Sequence, residues 1–293
     1  MIEEKNFFSR FFDVFNYVVL VLIAGLCITP LIHIIAVSFS STAPSMGGFV
    51  TFWPIGFTME NYTRVIGASA FHTSFLISLE RTIIGTSINL ALIVLVAYPL
   101  SKSAQEFRGR TIFLWIFLFA MMFNGGLIPT FLVVRKLGLI DSIWSLILPG
   151  AVQIWSIFLM MNFFRDLPKE IEEAALMDGA SHWQILFYIF LPLSLPALAT
   201  LALFAAVGHW NAWFDGAIYM TKAANYPLQT FLRTIVVQLD LSRLGVDPRD
   251  LAQLSNRSVK ASQIVVTIIP ILLVYPFLQR YFISGIRLGS VKG

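Results

Sequence analysis

Long apolar runs alternate with short polar segments along the whole chain. A helix needs about 20 apolar residues to cross the hydrocarbon core of a bilayer. Six stretches reach that length: Tyr17–Val37, Phe75–Leu100, Thr111–Val134, Ile143–Phe164, Ile185–Val207 and Ala261–Phe282. The pattern predicts an all-α, polytopic membrane protein with six transmembrane helices in one domain over residues 1–293. The third stretch contains Gly125, Gly126 and Pro129, the fourth Pro149, the fifth Pro192 and Pro196. Such breakers survive in a membrane only where neighbouring helices or a cavity satisfy the freed carbonyls. The bundle is therefore expected to surround something.

Ahead of the first span, Phe7, Phe8, Phe11, Phe12 and Phe15 recur three and four apart, with Lys5, Arg10 and Asp13 among them. That spacing predicts an in-plane amphipathic helix at the bilayer surface, the alternative being a simple extension of span one. A cleaved signal peptide is not expected. The apolar run exceeds the usual length, and Pro44 follows the one suitable small-residue site.

Composition agrees with the pattern. Hydrophobic residues make up 57% of the 293 and charged residues 12%, where soluble domains are about one quarter charged. The net charge of +4 is spread along the chain, with no basic patch interleaved with aromatics, so no nucleic-acid partner is expected. Cys27 is the single cysteine, which excludes an intrachain disulfide. The four histidines, His33, His72, His182 and His209, show no metal spacing. Lys and Arg in the short loops favour both termini on the cytoplasmic side, against the counterexample of Arg135 and Lys136. The segment 165–184 between spans four and five then lies on the cytoplasmic side and the loop 208–260 outside.

Residues Glu172 to Pro192, "EEAALMDGASHWQILFYIFLP", stand out as a polar island. Pro168 suits a helix start, and Glu170, Glu172 and Glu173 favour its positive end. Gly179 can take the left-handed conformation that stops a helix, and Ser181 with Gln184 forms a capping box for the next one. A short surface helix, a turn and a helix entering the membrane are expected. Ala174 and Ala175 leave room for another surface to approach.

The spacing Glu173-Ala174-Ala175, three residues, Gly179, nine residues, Ile189, one residue, Leu191-Pro192 resembles, without a mismatch, the "EAA" signature of permease subunits of binding-protein-dependent ABC importers. Phe123 to Val152, "FNGGLIPTFLVVRKLGLIDSIWSLILPGAV", and Gly208 to Val236, "GHWNAWFDGAIYMTKAANYPLQTFLRTIV", are similar to the carbohydrate branch, of the maltose-type second permease subunit. The subgroup resembled handles oligosaccharides from complex or acidic polysaccharides such as rhamnogalacturonan or alginate.

The resemblance implies a type I importer permease fold in a bacterial cytoplasmic membrane, surrounded by lipid. Its partners would be a second related permease, two ATPase subunits and an external carbohydrate-binding protein. The chain has no phosphate-cradling Gly-rich loop, so it binds no cofactor itself, and ATP with its Mg belongs to the partner ATPases. The segment 168–180 would be the coupling helix, with Glu173, Ala174, Ala175, Asp178 and Gly179 at the ATPase contact. Asp178 has an alternative role as a cap for the second helix.

Asn124, Gln153, Trp155 and Asn162 in spans three and four are candidates for the translocation pathway, since intramembrane polar residues face the bundle interior. Interhelical hydrogen bonding is the competing role. Glu80 and Arg81 are expected to be interfacial or paired with other helices. His209, Trp210 and Trp213 are expected to form an aromatic rim, and Leu239–Ser258 a helix-containing hairpin that docks the binding protein or packs on its own bundle. Other readings are a non-sugar cargo for the same fold, an ion-coupled secondary transporter, or a membrane-embedded enzyme. The last two lack ionisable or convergent catalytic groups deep in the spans.

Overall fold

A computed structural model describes residues 7–236 and 257–290. Among them the elements are helical, apart from an isolated antiparallel bridge between Ser40 and Phe57. The chain runs through α1 (Phe7–Ser38), α2 (Thr42–Met46), α3 (Glu60–Gly67), α4 (Ser69–Ser101), α5 (Arg110–Met122), α6 (Leu127–Lys136) and α7 (Ile143–Ile147). It continues through α8 (Ile154–Arg165), α9 (Lys169–Met177), α10 (His182–Ile185), α11 (Leu191–Leu193), α12 (Leu195–Asn211), α13 (Phe214–Tyr219), α14 (Leu228–Val236) and α15 (Arg257–Ser290).

The expected first, second and sixth spans lie inside α1, α4 and α15. The other three are each broken. Arg110–Met122 and Leu127–Lys136 meet at 112°, Ile143–Gly150 and Ile154–Arg165 at 50°, and His182–Leu193 and Leu195–Asn211 at 81°. Each break falls at the Gly or Pro residues noted in the sequence, where a helix loses backbone hydrogen bonds. Among the described residues two helices are long and apolar enough to cross a membrane alone, or up to five spans if each bent pair counts once.

The Phe-rich N-terminal segment is not a separate surface helix. It forms the first turns of α1, which runs unbroken for 32 residues. Periodicity marks a helix but carries no signal for a bend, and no Gly or Pro separates Phe7 from Ala24. Phe11, Phe12 and Phe15 are exposed, like the apolar residues that follow them.

The chain divides into two compact units. The first holds residues up to Ser69 and Ile235–Ile268. Its small core of Ala36, Val37, Val50 and Ala261 is tied by polar contacts. Asn61 Nδ2 donates to the carbonyls of Ser38 and Ser40 at 2.9 and 3.0 Å, and Arg257 donates to the carbonyl of Ser45 at 3.2 Å.

The second unit holds Ala70–Thr234 and residues from Ile269. Its core gathers Ile93, Ala97, Tyr98 and Leu100 of α4, Ile157, Met160 and Phe164 of α8, and Ile185, Leu186 and Phe190. Leu186–Phe190 winds as π-helix directly before the break at Pro192. Such wide turns occur where a helix must absorb an irregularity.

The loop expected over 208–260 is shorter at both ends, because Gly208–Asn211 close α12 and Arg257 opens α15. Its described part folds back, with Leu228 and Phe231 buried and Leu228 N donating to Ser78 Oγ at 2.7 Å. The expected hairpin Leu239–Ser258 lies outside the described residues except for its last two positions, which begin α15. The aromatic rim is also corrected. His209 and Trp210 are buried, Trp210 edge-on to Phe75 at 5.6 Å, while Trp213 lies beneath the Arg233 guanidinium at 3.4 Å.

Candidate functional site

The polar island folds as its local chemistry requires. Pro168 precedes the first turn of α9, and Glu170 and Glu172 sit in that turn, at the positive end of the helix dipole. At the other end, Ala180 N donates to the Ala175 carbonyl at 2.9 Å and Gly179 N to the Leu176 carbonyl at 3.0 Å. This crossed pair is a Schellman stop, which places Gly179 at φ +80°. Ser181 Oγ then accepts from Gln184 N at 3.4 Å while Gln184 Oε1 accepts from Ser181 N at 2.8 Å. That reciprocal box caps α10, so the capping role considered for Asp178 belongs to Ser181.

α9 has an exposed side and an inward side, and Glu173 and Leu176 also border the cleft that Glu172 lines. Glu173, Ala174, Asp178 and Gly179 are exposed. Ala175 is half-buried and packs against the core that contains Tyr98, Phe164 and Phe190. Glu172 also turns inward, to an ion pair with Lys102. Three apolar side chains join the exposed face: Ile171, Leu176 and Met177, the last 88% exposed. The sequence reading passed over them, although an exposed Met beside a Gly stop is a usable signal of a contact surface, since Met adapts to varied partners. Between α9 and the α4–α5 connection lies a cleft of about 400 Å³.

Deeper in the same unit is a polar network in which Arg81 pairs with other helices and Gln153 bonds between helices, as expected of them, to partners that the sequence did not reveal. Arg81 is 3% exposed and forms a two-pronged ion pair with Asp215 of α13. It also donates to the Leu146 carbonyl at 3.2 Å. Two turns along α4, Asn89 Nδ2 donates to the carbonyls of Gly150 and Ala151 at 3.1 and 2.8 Å. Those are acceptors released by the break at Pro149, so a side chain from another helix satisfies them. Asn89 Oδ1 in turn accepts from His209 Nε2 at 2.7 Å and from Gln153 Nε2 at 3.3 Å. Gly85 permits this closeness, because a Cβ there would lie 2.5 Å from His209 Nε2. Arg81, Gln153, His209 and Asp215 border a cavity of about 350 Å³.

The four pathway candidates are not brought together. Gln153 belongs to the network just described. Trp155, 54% exposed, lies one position past the break beside Phe204, with ring centroids 6.4 Å apart. Asn124 Oδ1 accepts from Gly126 N at 2.8 Å and shapes the turn between α5 and α6, where Gly126 has φ +88°. Asn162 is exposed near the end of α8 that leads to α9. Glu80 is exposed, in contrast to Arg81.

Comparison with known proteins matches this architecture. Residues 94–288 match the family model described as binding-protein-dependent transport system inner membrane component. The chain is 40% identical, over 97% of its length and 99% of the relative's, to the polygalacturonan/rhamnogalacturonan transport system permease protein YtcP of Bacillus subtilis. It is 30% identical to the trehalose/maltose transport system permease protein MalG of Thermococcus litoralis, over 93% of this chain and 94% of that one. A chain in the solved structure of a bacterial ABC transporter involved in the import of the acidic polysaccharide alginate superposes with TM-score 0.86 at 36% identity. That match covers 94% of this chain and 98% of the other. The protein therefore belongs to the inner-membrane components of binding-protein-dependent transport systems, and it acts as a permease subunit of an ABC importer rather than as an enzyme.

Proposed function

We propose that this permease imports oligosaccharides derived from an acidic polysaccharide, of the polygalacturonan, rhamnogalacturonan or alginate kind. An external carbohydrate-binding protein delivers them, and two cytoplasmic ATPases drive transport together with a second permease. The substrate class rests on the relatives, whose names and titles carry those polysaccharides. In this reading the chain crosses the membrane six times with both termini cytoplasmic, and each broken helix pair counts as one span.

The observation that carries the mechanism is α9 with its two caps. It is a short helix bounded by the Schellman stop at Gly179 and the capping box at Ser181, with one face left open. That face, formed by Glu173, Ala174, Asp178 and the apolar Ile171, Leu176 and Met177, docks in a groove of the ATPase. Ala175 supports it from behind by packing on the core. ATP binding closes the ATPase pair and moves α9, and the permeases switch from inward-open to outward-open to receive sugar. A ligand drives such a switch only by contacting the two states differently. Asn124, Trp155 and Asn162 remain candidates for contacts along the pathway, and Gln153 shapes its wall.

The test is ATP hydrolysis and uptake by the reconstituted complex with the binding protein loaded in turn with oligogalacturonate, alginate oligosaccharide, maltose and a peptide. Stimulation by an acidic oligosaccharide supports the assignment. Stimulation by the peptide alone, or by no saccharide, overturns it. Cysteine replacing Met177 is expected to crosslink to the ATPase, and failure of every exposed α9 position to crosslink would overturn the docking face.

A further inference from the structure

We propose that Lys102 is a positioning residue that transmits movement of the coupling segment to α4, a helix that segment does not adjoin in sequence. This rests on the reading of α9 as the coupling helix. No residue of α9 is fully buried. Its chain connections run to α8 through Asp166–Pro168 and to α10 through the Gly179 turn. Neither reaches α4, the unbroken 33-residue helix that carries Arg81 and Asn89 to the interior network.

Lys102 bridges that gap. It follows the last residue of α4, and its ammonium pairs with the Glu172 carboxylate of α9. The side chains of Lys102 and Glu172 are only 10% and 18% exposed. The same ammonium lies 4.2 Å from the ring centroid of Tyr98 and 4.5 Å from that of Phe190. A cation held between two aromatic rings and a carboxylate has lost most of its water and is restrained in position.

Tyr98 adds a second grip, since its Oη lies 3.3 Å from Nδ1 of His182, the first residue of α10. The end of α4 thus holds both arms of the coupling segment, α9 through Lys102 and α10 through Tyr98. It is itself anchored where Arg110 Nε and Arg165 Nη2 donate to the Leu100 carbonyl at 2.9 and 3.4 Å. A displacement of α9 acts on the end of α4 through the Lys102–Glu172 pair, alongside the packing of Ala175 on the shared core.

The test uses the whole importer in proteoliposomes, with permeases, ATPases and binding protein, and the first of oligogalacturonate or alginate oligosaccharide that the unmodified complex takes up. The readout is ATP hydrolysed per sugar imported, a ratio that does not depend on how much complex assembles. Lys102→Met and Glu172→Gln are each expected to raise the ratio about tenfold, the size of losing one coupling interaction. Their double variant should be no worse than either alone, because both remove the same contact. Lys102→Arg, which keeps the charge above the rings, should stay near the unmodified ratio.

Unchanged ratios in Lys102→Met, or additive effects in the double variant, would overturn the proposal. Gly179→Val separates the two levels of inference. If it uncouples and Lys102→Met does not, only the role of Lys102 fails. If neither uncouples, the coupling reading of α9 fails with it.

Discussion

Arg81 on α4 and Asp215 on α13 are 134 residues apart in sequence and form an ion pair inside the helical unit, with the Arg81 guanidinium spanning both carboxylate oxygens. The guanidinium also reaches the Leu146 carbonyl, so three separate segments meet on one side chain. Removing one partner strands the other charge in a poorly hydrated site, which costs about 3 kcal/mol for buried pairs and less here because Asp215 is 26% exposed. Arg81→Met and Asp215→Asn should each lower the melting temperature of the purified protein. The double variant should lose clearly less than the sum of the two, since the second removal relieves the stranded charge. Additive losses would mean that the pair contributes little as a pair.

Gly85 makes a sharper test of the neighbouring network. A methyl group there would meet the His209 ring at 2.5–2.8 Å, below any ordinary contact. His209 would have to move, and Asn89 Oδ1 would lose its 2.7 Å partner. Gly85→Ala is expected to destabilise the protein by about 1–3 kcal/mol, the usual penalty for overpacking a filled interior. His209→Ala combined with Gly85→Ala should recover much of that loss, as measured by thermal unfolding in detergent. No recovery would place the clash elsewhere.

These two sites also show what the sequence could and could not reveal. The long apolar helices α1 and α4 were legible because a bilayer demands length and apolarity, which are local properties. The breaks at Gly126, Pro149 and Pro192 were legible as breakers, but their angles depend on what packs against them. The turn at Gly179 and the box at Ser181–Gln184 were fully legible, since every partner lies within six residues. The Asn89–His209 contact joins residues 120 positions apart, and no local pattern announces it. Equally, nothing in the run from Phe7 onward distinguished a surface helix from the first turns of α1. In α9, the Ala pair was legible as room for a neighbour, but not that Ala175 faces the chain's own core.

A pH effect is expected at Asp141, in the connection between α6 and α7. Its Oδ1 accepts from the backbone N–H groups of Thr221 and Lys222 at 2.7 and 3.1 Å, and the Thr221 hydroxyl donates to Oδ2. The Thr221 hydroxyl bond above all, with the two backbone bonds, holds the carboxyl below its ordinary value of 3.8. A carboxyl depressed in the folded state stabilises fully above its unfolded value and loses that contribution as pH falls through the folded one. Intrinsic-rate-corrected hydrogen exchange of residues 219–225 should therefore show constant protection at neutral pH and a loss of protection on acidification below about pH 3.8. Asp141→Asn, which tolerates the φ of +61° but lacks the charge, should lose the step. The same step persisting in that variant would assign it to another group.

Gly179 allows conformation and contact to be told apart. Its φ of +80° lies where a side chain costs about 1–2 kcal/mol, except for Asn, which visits that region more readily. A Cβ there would meet nothing within 4 Å inside this chain, so the protein's own packing adds no further penalty. If the turn alone matters, coupled ATP hydrolysis in the full complex should fall in the order Gly, Asn, Ala, Val, with Asn close to the native residue. If the exposed surface at Gly179 lies directly against the ATPase, Asn will be as damaging as Val, because its bulk collides whatever the backbone prefers. Measuring the four residues in one background, with the stability of the permease followed in parallel, decides between a glycine that shapes α9 and one that makes room for its partner.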